Sequence, residues 1–379
     1  MEFVATCLFG LERLVGEDID ALGYKRTGTI DGRVTFNAPD EISAECIARC
    51  NIFFRYAERL YIKLGEFKAF TFEDLYQGTK SLPWESFIGK NDMFPVKGHS
   101  IKSKLFSVPD CQKIVKKAVV DKLSAIYKIK QFPESGIKYQ IEFFILDDKV
   151  MLMIDTSGDS LHKRGYRKYG NIAPLRETLA AAMVNLSRPR ENVILVDPLC
   201  GSGTILIEAA LLITNTAPGL NRAFISEEFP YVPHSVWEKV RTQARAAVIP
   251  ANTKIYGYDI DRTSIETARR NASDAGVSSI ILFEVRDIKD FRSPVEGARG
   301  TVITNPPYGE RMGDLQSARS LLTLMGKVFS VQIPSWQLYI ISSDEELERH
   351  FGRRSDKVRK LYNGMIKCGL YQYFKNKKK

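Results

Sequence analysis

The chain has 379 residues, 44% of them hydrophobic, so it can bury a full core and form two or three domains; a single small domain is excluded. Its formal net charge is +10, and residues 351–379 alone carry ten Lys or Arg against one acid. Basic zones of this kind favour a polyanionic partner, because each phosphate that is neutralised releases condensed counterions. Solubility would explain the same charge equally well.

The six cysteines are scattered without any C-x-x-C pair, and the four histidines lie far apart. Neither a zinc site nor a disulfide framework is predicted, and no metal is expected. The first residues lack the basic lead of a signal peptide, and no apolar run approaches the roughly 20 residues that span a bilayer. We expect a soluble, cytoplasmic protein with reduced thiols and no membrane partner.

The first 160 residues predict two units that mix helices and strands. Residues 1–65 combine short apolar runs with turn signals and indicate a small α+β domain. Residues 66–160 form the second unit, in which a basic helix over residues 110–126 is followed by strands at 138–146 and 149–155. The Asp147-Asp148 step between these strands is typical of a tight turn, so they are predicted to form a hairpin.

In residues 161–379, short apolar strands alternate with helical patterns. Strands are predicted at residues 193–196, 255–258, 280–285, 301–304 and 336–342. This alternation implies βαβ units and a largely parallel sheet. An insertion over residues 215–251 has to loop out between the first two strands, and residues 358–374 are typical of an antiparallel hairpin that closes the sheet.

A glycine-rich turn, D-P-L-C-G-S-G-T at residues 197–204, joins the first of these strands to an apolar helix. Glycine permits positive φ and close approach, so a ligand can lie against the backbone amides of such a turn. The turn lacks the Gly-Lys-Ser/Thr ending of a P-loop and does not match G-x-G-x-x-G. It predicts a nucleotide-type site rather than a triphosphate cradle, at Cys200, Gly201, Gly203 and Thr204.

Two carboxylates end the following strands. Asp259, in Y-G-Y-D-I-D, lies where an acid accepts hydrogen bonds from both hydroxyls of a ribose, as the acidic residue of dinucleotide folds does. Asp287 ends the next strand and is placed to accept a hydrogen bond from an adenine amino group. Together with the glycine turn, these two acids predict a site for a nucleoside.

The motif that indicates a reaction is Asn305-Pro306-Pro307-Tyr308, after an apolar strand. An exocyclic amine is a poor nucleophile because its lone pair is delocalised, so an enzyme has to accept its hydrogens and fix its orientation. The Asn305 side-chain oxygen and the Pro306 carbonyl can do this, the prolines make the backbone rigid, and Tyr308 offers a face for a planar base. Alone the motif is also compatible with a simple rigid turn.

These motifs resemble those of the THUMP-domain RNA methyltransferases, and most closely the bacterial enzymes that methylate N2 of guanine in 23S ribosomal RNA. The resemblance includes L-H-K-R-G-Y-R at residues 161–167, A-P-L-R-E-T-L-A-A-A at 173–182 and N-P-P-Y-G-E-R at 305–311. It covers essentially the whole chain, with six motifs in the same order.

The resemblance implies an α/β architecture of three domains. Residues 1–65 would form a ferredoxin-like domain and residues 66–160 a THUMP RNA-binding domain. Residues 161–379 would form a Rossmann-like class I methyltransferase domain, whose mostly parallel sheet has an antiparallel last strand.

The resemblance also implies S-adenosylmethionine as the cofactor, without a metal. Asp197, Gly201 and Gly203 would hold the methionine part of the cofactor, Asp259 the ribose and Asp287 the adenine. Asn305 to Tyr308 would hold the target guanine next to the cofactor.

Basic residues outside this pocket are predicted to contact RNA. They lie in the connector before the last domain and on the basic helix: Lys163, Arg164, Tyr166, Arg167, Lys113, Lys116 and Lys117. A solvated linker and an ordinary charged helix face are the alternatives.

Other functions remain open at this stage. The same chemistry could serve guanine N2 of transfer RNA, or adenine N6 in DNA or a glutamine amide in protein, and the separate basic region argues against the last two. An RNA-binding or ribosome-assembly protein without turnover is disfavoured, because such a protein has no physical need for the acids and N-P-P-Y. The modified nucleotide and the oligomeric state are not determined.

Overall fold

The computed structural model describes residues 1–167, 175–251, 253–308 and 315–374, and within these ranges the chain forms two seven-stranded sheets. The first sheet is built by the amino-terminal part of the chain and the second by the carboxy-terminal part. No helix within the described ranges is both long enough and apolar enough to cross a bilayer.

The first sheet has the order β2-β3-β1-β4-β7-β6-β5, and all its pairs are antiparallel except β5 with β6. Its strands are Glu2–Cys7 (β1), Lys25–Ile30 (β2), Arg33–Asn37 (β3), Ala57–Lys68 (β4), Val96–Ile101 (β5), Ile141–Leu146 (β6) and Lys149–Asp155 (β7). The helices of this part are Glu12–Ala21 (α1), Ser43–Phe53 (α2), Phe72–Lys80 (α3) and Val108–Tyr127 (α4).

The long strand β4 joins the two amino-terminal units into one sheet. Its first residues pair with β1, and from Tyr61 to Lys68 it pairs with β7. The boundary predicted after residue 65 falls inside this strand. The two units are therefore continuous through backbone hydrogen bonds, and the domain limits stay a prediction.

The hairpin between β6 and β7 confirms the turn that the sequence predicted. Asp147 and Asp148 both have positive φ, +48° and +62°. Two consecutive residues in the left-handed region are the geometry of a type I′ turn, whose twist matches that of the two strands. Asp148 also accepts a hydrogen bond from the Lys104 amide, 2.6 Å, which fixes the turn to the neighbouring loop.

The second sheet has the order β10-β9-β8-β11-β12-β14-β13. Its strands are Ile194–Asp197 (β8), Ile255–Asp259 (β9), Ile281–Val285 (β10), Gly300–Thr304 (β11), Gln337–Ser342 (β12), Lys357–Asn363 (β13) and Ile366–Tyr373 (β14). The helices are Glu177–Ser187 (α5), Thr204–Ile213 (α6), His234–Ala246 (α7), Arg262–Asp274 (α8), Leu315–Gln332 (α9) and Leu347–Phe351 (α10). The strands β8 to β12 are parallel, and β14 is antiparallel to both β12 and β13. The predicted fold class, including the antiparallel end of the sheet, is confirmed.

Packing on both faces explains why the central strands of this sheet are apolar without alternation. Every residue of β11 is buried, because helices cover both sides of the sheet. One side, with α9 and α10, forms a separate core around Met325 and Phe329. The other side, with α5, α6 and α8, shares a single continuous core with the amino-terminal sheet. The second sheet is thus packed against the amino-terminal part of the chain through apolar side chains.

The predicted insertion at residues 215–251 strengthens this contact. Phe229 of the insertion stacks on Tyr139, with ring centroids 4.4 Å apart, and the Gly219 amide donates to the Ile52 carbonyl, 2.9 Å. The indole ring of Trp237 is fully buried against Phe224. The insertion is therefore a docking element between the two parts of the chain.

A buried ion pair closes the connector between the two sheets. Arg164 is 3% exposed and its Nε lies 3.5 Å from Glu208 Oε1, which also accepts a hydrogen bond from Tyr166 Oη, 3.0 Å. The Arg164 guanidinium also donates to the carbonyls of Leu161, 2.8 Å, and Arg55. One guanidinium thus holds helix α6, the connector and the amino-terminal domain together.

Arg164→Ala should destabilise the protein by about 3–5 kcal/mol, because it leaves the Glu208 carboxylate buried without its cation. Lys163→Ala is the matched control, since Lys163 is an exposed neighbour that pairs with Asp159 at the surface, and it should cost less than about 1 kcal/mol. Denaturant unfolding of the two variants measures both values. Equal stabilities of the two variants would contradict the stabilising role assigned to the Arg164–Glu208 ion pair.

Candidate active site

The candidate site lies at the carboxyl edge of the second sheet. The strands β9 and β10 lie on one side of β8, whereas β11 lies on its other side. The direction in which successive strands are added therefore reverses between β8 and β11. Ligands of open α/β sheets bind in the crevice at such a switch point. Two of these strands end in an acid, Asp197 in β8 and Asp259 in β9, whereas Asp287 follows the end of β10 by two residues and Asn305 directly follows β11.

The glycine turn after β8 needs glycine at two positions for different reasons. Gly201 has φ +51°, and a Cβ added there would meet nothing within 4 Å, so the space in front of it is open to a ligand. Gly203 has φ +83°, and its Cβ would lie 3.1 Å from both Ala268 Cβ and Phe283 Cζ. The second glycine therefore permits close packing of α6 against β10 and α8, whereas the first faces the crevice.

Asp259 is joined to this turn by a direct hydrogen bond. Its Oδ2 accepts from the Gly201 amide, 2.9 Å, and its Oδ1 accepts from the Asp261 amide, 3.0 Å. Each carboxylate oxygen has a further lone pair that can accept a hydroxyl. The structure thus brings together the turn and the acid that the sequence separates by 58 residues.

Asp197 is buried at the end of β8, with 2% of its surface exposed. Burial raises the pKa of its carboxyl group from 3.8 to about 7, although the Thr304 hydroxyl and the Leu199 amide, 3.1 Å away, act in the opposite direction. The charge of Asp259 raises this pKa a little further. A cationic ligand group beside Asp197 would favour its ionised form.

Asp287 lies after β10 and, unlike Asp197, is partly exposed. Its Oδ1 accepts from the Lys289 amide, 3.0 Å, and its Oδ2 lies 3.1 Å from Lys289 Nζ. These hydrogen bonds hold the pKa of the carboxyl group below its usual value, with the backbone amide as the main cause. Asp287 is therefore an ionised acceptor at the rim of the crevice.

The N-P-P-Y turn leaves β11 beside Thr304, the neighbour of Asp197. Asn305 Oδ1 accepts a hydrogen bond from Tyr308 Oη, 2.6 Å. Pro306 is buried, whereas Pro307 and Tyr308 are partly exposed. The tyrosine hydroxyl fixes the orientation of the asparagine amide, a contact that the sequence did not reveal. Residues 309–311, the last part of N-P-P-Y-G-E-R, lie outside the described residues.

The two other predicted residues of the turn contribute through their backbone. Cys200 is buried, its amide donates to the Tyr258 carbonyl, 2.8 Å, and burial raises the pKa of its thiol well above the usual value. Thr204 is buried at the first position of α6. A thiol that stays protonated is a weak nucleophile, so Cys200 serves the shape of the turn.

Two residues that support the site were missed at the sequence level. Asn271 of α8 is buried and donates from Nδ2 to the Ser202 carbonyl, 3.0 Å, which holds the glycine turn in place. Glu58 of β4 accepts from Thr178 Oγ1, 2.5 Å, and from Arg176, 2.8 Å, at the start of α5. Burial alone would raise the pKa of Glu58, but His162 and these partners lower it to about 2. No local pattern marks either residue, because each acts on a distant segment.

The connector residues predicted to contact RNA have other roles in this structure. Arg164 and Tyr166 are buried on Glu208, so their side chains do not face a ligand, and the prediction has to be corrected for both. Arg167 is largely buried and pairs with Glu177 at 2.6 Å. Lys163 remains exposed. The physical reason is that the connector packs between two domains, where its cations meet buried carboxylates.

The lysines of α4 are placed differently from one another. Lys116 is part-buried and bonds to Glu134, 2.9 Å, and to the Phe94 carbonyl, 3.1 Å. Lys113 and Lys117 are exposed. The ammonium group of Lys117 lies 5.7 Å from the Tyr76 ring centroid. Lys113, whose ammonium group lies 3.4 Å from Asp110, and Lys117 therefore stay exposed on this helix.

The crevice has the chemistry that S-adenosylmethionine requires. The open space at Gly201, the two lone pairs of Asp259 and the buried carboxyl group of Asp197 fit a methionine moiety and a ribose. Across the described ranges, no group of three or more His, Cys, Asp or Glu side chains is arranged to hold a metal.

The raised pKa of Asp197 predicts a pH effect on stability. Since the folded pKa, about 7, is above the unfolded value of 3.8, the folded protein binds a proton that the unfolded chain releases, and stability falls as pH rises through this window. We expect wild type to lose about 2 kcal/mol between about pH 5.5 and pH 8 relative to Asp197→Asn, which stays neutral.

Urea unfolding without cofactor at the two pH values measures this difference. Asp287→Asn is the control, because the pKa of Asp287 is lowered and its contribution changes only at more acidic pH. Parallel stability changes in wild type and Asp197→Asn would show that the carboxyl group is not desolvated.

Comparisons with known families cover nearly the whole chain. An RlmL ferredoxin-like domain matches residues 2–61, a THUMP domain residues 69–155, and an RMKL-like methyltransferase domain residues 164–372.

Three relatives illustrate these matches. The Bacillus subtilis protein YpsC, named as an RNA methyltransferase, is 40% identical over 98% of this chain and 95% of its own length. The ribosomal RNA large subunit methyltransferase K/L of Psychromonas ingrahamii is 34% identical over 96% of this chain, which spans only 49% of that relative. The solved structure of the methyltransferase SMU.472 with S-adenosylhomocysteine (SAH) is 39% identical, covers 100% of this chain and 99% of its own, and has a TM-score of 0.90.

The order of the three domains, the match along the full length of YpsC and the crevice at the switch point agree. The chain therefore belongs to the THUMP-domain family of class I S-adenosylmethionine-dependent RNA methyltransferases.

Proposed function

We propose that this enzyme methylates N2 of a guanine in 23S ribosomal RNA. The observation that carries the proposal is the N-P-P-Y turn beside the cofactor crevice, with the Asn305 amide fixed by Tyr308. An amide oxygen and a neighbouring carbonyl are suited to an amino group with two hydrogens. The name of the Psychromonas ingrahamii relative supports ribosomal RNA as the substrate class.

Within this proposal, different residues hold the methionine part, the ribose and the adenine of the cofactor. Asp197 and the backbone of the glycine turn, from Cys200 to Thr204, hold the methionine part. Asp259 accepts from the ribose hydroxyls with the lone pairs that Gly201 and Asp261 leave available. Asp287 accepts from the adenine amino group. Each role uses a polar atom at the carboxyl edge of the sheet.

Methyl transfer to an exocyclic amine requires correct positioning of the amine and the methyl group rather than a strong base. When bound, S-adenosylmethionine supplies a methyl group, and its sulfur keeps the electron pair of the broken bond as SAH forms. Asn305 Oδ1 and the Pro306 carbonyl accept the two N2 hydrogens and aim the nitrogen lone pair at that methyl group. After the N–C bond forms, the proton that N2 loses leaves along these acceptors to water. Tyr308 offers its ring to the guanine.

The other parts of the chain would bring the RNA to this site. We assign residues 1–65 to a ferredoxin-like domain, residues 66–160 to the THUMP domain and residues 161–379 to the catalytic domain. The exposed side chains of Lys113, Lys117 and Lys163 are the remaining candidates for phosphate contacts in the predicted set. A target base inside a structured RNA has to be extruded or already unpaired.

Asn305→Ala should lower kcat for methyl transfer by about 100-fold or more, because the amine is no longer oriented. The affinity for S-adenosylmethionine should change far less. The assay uses labelled cofactor with protein-free 23S ribosomal RNA from a strain that lacks the enzyme, and mass spectrometry identifies the methylated base.

Asp287→Ala is the matched control, since it should raise the KM for S-adenosylmethionine and leave kcat at saturating cofactor nearly unchanged. Transfer RNA, DNA and a release factor serve as parallel substrates. Undiminished activity of Asn305→Ala on RNA would remove the assignment of Asn305, and modification of adenine, transfer RNA or protein would replace the proposed substrate.

Tyr308→Phe tests the bond that orients Asn305. It keeps the ring and removes the hydroxyl that donates to Asn305 Oδ1. A net hydrogen bond contributes about 0.5–1.5 kcal/mol, so kcat should fall about two- to tenfold with an unchanged cofactor affinity. Tyr308→Ala should cost more, because the stacking face is lost as well. A wild-type kcat for Tyr308→Phe would mean that the hydroxyl does not position the amide during the reaction.

A further inference from the structure

A cavity of about 640 Å³ lies at the edge of the catalytic sheet opposite the candidate active site. Its wall includes Val193, Gly300 and Gln337, which stand at or next to the starts of β8, β11 and β12. Parallel strands start at one edge and end at the other, so the length of the strands separates the cavity from the glycine turn. For the five residues of β11 this is about 16 Å.

The cavity is formed by both halves of the chain. Arg13 and Glu17 of α1 contribute from the amino-terminal domain, and Arg359 of β13 contributes from the catalytic domain. The same contact is held by the rings of Phe9 and Tyr362, whose centroids are 5.6 Å apart. The surface therefore exists only when the two parts are docked.

The wall of the cavity is strongly basic. Its charged side chains are one acid, Glu17, and six cations: Arg13, Arg188, Arg190, Arg299, Lys357 and Arg359. Arg13 pairs with Glu17 at 2.8 Å. Within the described part of the chain, neither an ion pair nor a side-chain hydrogen bond is formed by Arg188, Arg190, Arg299 or Lys357.

Buried cations are paired with a carboxylate, as Arg164 is with Glu208, whereas these four are exposed and stay solvated. Four uncompensated cations around one concave surface instead create a local positive potential that attracts an anion. Guanidinium groups match the geometry of phosphate oxygens in particular. Six further wall residues offer hydroxyl or amide groups, Asn185, Ser187, Thr301, Ser335, Gln337 and Gln372, and the remainder of the wall is mostly apolar, with Leu14, Leu186, Val193, Tyr339 and Phe374. This mixture is typical of contacts to the phosphates and sugars of a nucleic acid, which position it without reading its sequence.

We propose that this cavity binds the phosphodiester backbone of the substrate RNA, at a segment remote from the methylated base. RNA held at both edges of the catalytic sheet has its register fixed before the base enters the crevice. A short RNA that carries only the target base would not reach the cavity and would bind more weakly than a long folded RNA. This inference rests on the RNA methyltransferase activity and not on the choice of guanine N2.

The test compares two variants that each remove three positive charges. The cavity variant is Arg190→Gln/Arg299→Gln/Lys357→Gln, and the control variant is Arg270→Gln/Arg292→Gln/Lys327→Gln. All six side chains are exposed, and the three control residues lie outside the cavity wall. The probe is protein-free 23S ribosomal RNA, bound at several salt concentrations and then used for methyl transfer. Affinity for S-adenosylmethionine and the melting temperature report on folding.

The cavity variant should bind this RNA at least about tenfold more weakly and lower the slope of log affinity against log salt by about 2, since each phosphate contact contributes about 0.7–0.9. Its KM for RNA should rise while kcat at saturating RNA stays near the wild-type value. The control variant should change affinity and slope much less, and both variants should keep wild-type cofactor affinity.

Equal losses in the two variants would overturn the proposal, because net charge and not the cavity would then explain binding. Unchanged RNA affinity in the cavity variant would also overturn it. If inorganic tripolyphosphate then stabilised wild type but not that variant, the cavity would be a site for a small polyanion instead. A methylated base other than guanine would refute the proposed function and leave this inference standing.

Discussion

The hydrogen bond from the Gly201 amide to the Asp259 carboxylate organises the candidate active site. It joins the ends of two neighbouring strands, so the glycine turn and Asp259 have one fixed separation. The bond is possible because Gly201 adopts φ +51°, a conformation that directs its amide towards β9. Asn271 fixes the same turn from the other side through the Ser202 carbonyl. The crevice is thus preorganised by backbone geometry before any ligand is bound.

Rigid packing connects this crevice to the parts of the chain that handle RNA. One continuous core runs from the first sheet into the catalytic sheet, and the insertion and the Arg164–Glu208 pair close the same interface. The amino-terminal domains consequently have a defined position relative to the N-P-P-Y turn. In an RNA methyltransferase, this packing gives the amino-terminal sheet and the catalytic crevice a fixed separation.

The charges are distributed according to their environment. Asp197 is buried, and burial raises the pKa of its carboxyl group, which favours the neutral form. Arg164 and Arg167 in the domain interface pair with carboxylates, whereas, among the residues that the structure describes, four cations of the cavity wall form no ion pair: Arg188, Arg190, Arg299 and Lys357. The basic residues that give the chain its high net charge therefore have two different environments. Some pair with carboxylates and stabilise the fold, and others remain available to a polyanion.

The sequence by itself determined the elements and the site residues that are local in character. The strands of the second sheet, the basic helix, the Asp147-Asp148 turn and the order of the motifs from Asp197 to Asn305 follow from short-range patterns, whereas strands β4 and β5 were not predicted. Only the tertiary structure decided what distant residues do to one another. The burial of Arg164 and Tyr166 on Glu208, the bond from Tyr308 to Asn305 and the cavity shared by α1 and the last hairpin depend on packing. The sequence shows that a residue is basic but not whether its side chain faces solvent, a phosphate or a buried carboxylate. The packing of the folded chain determines which of these it contacts.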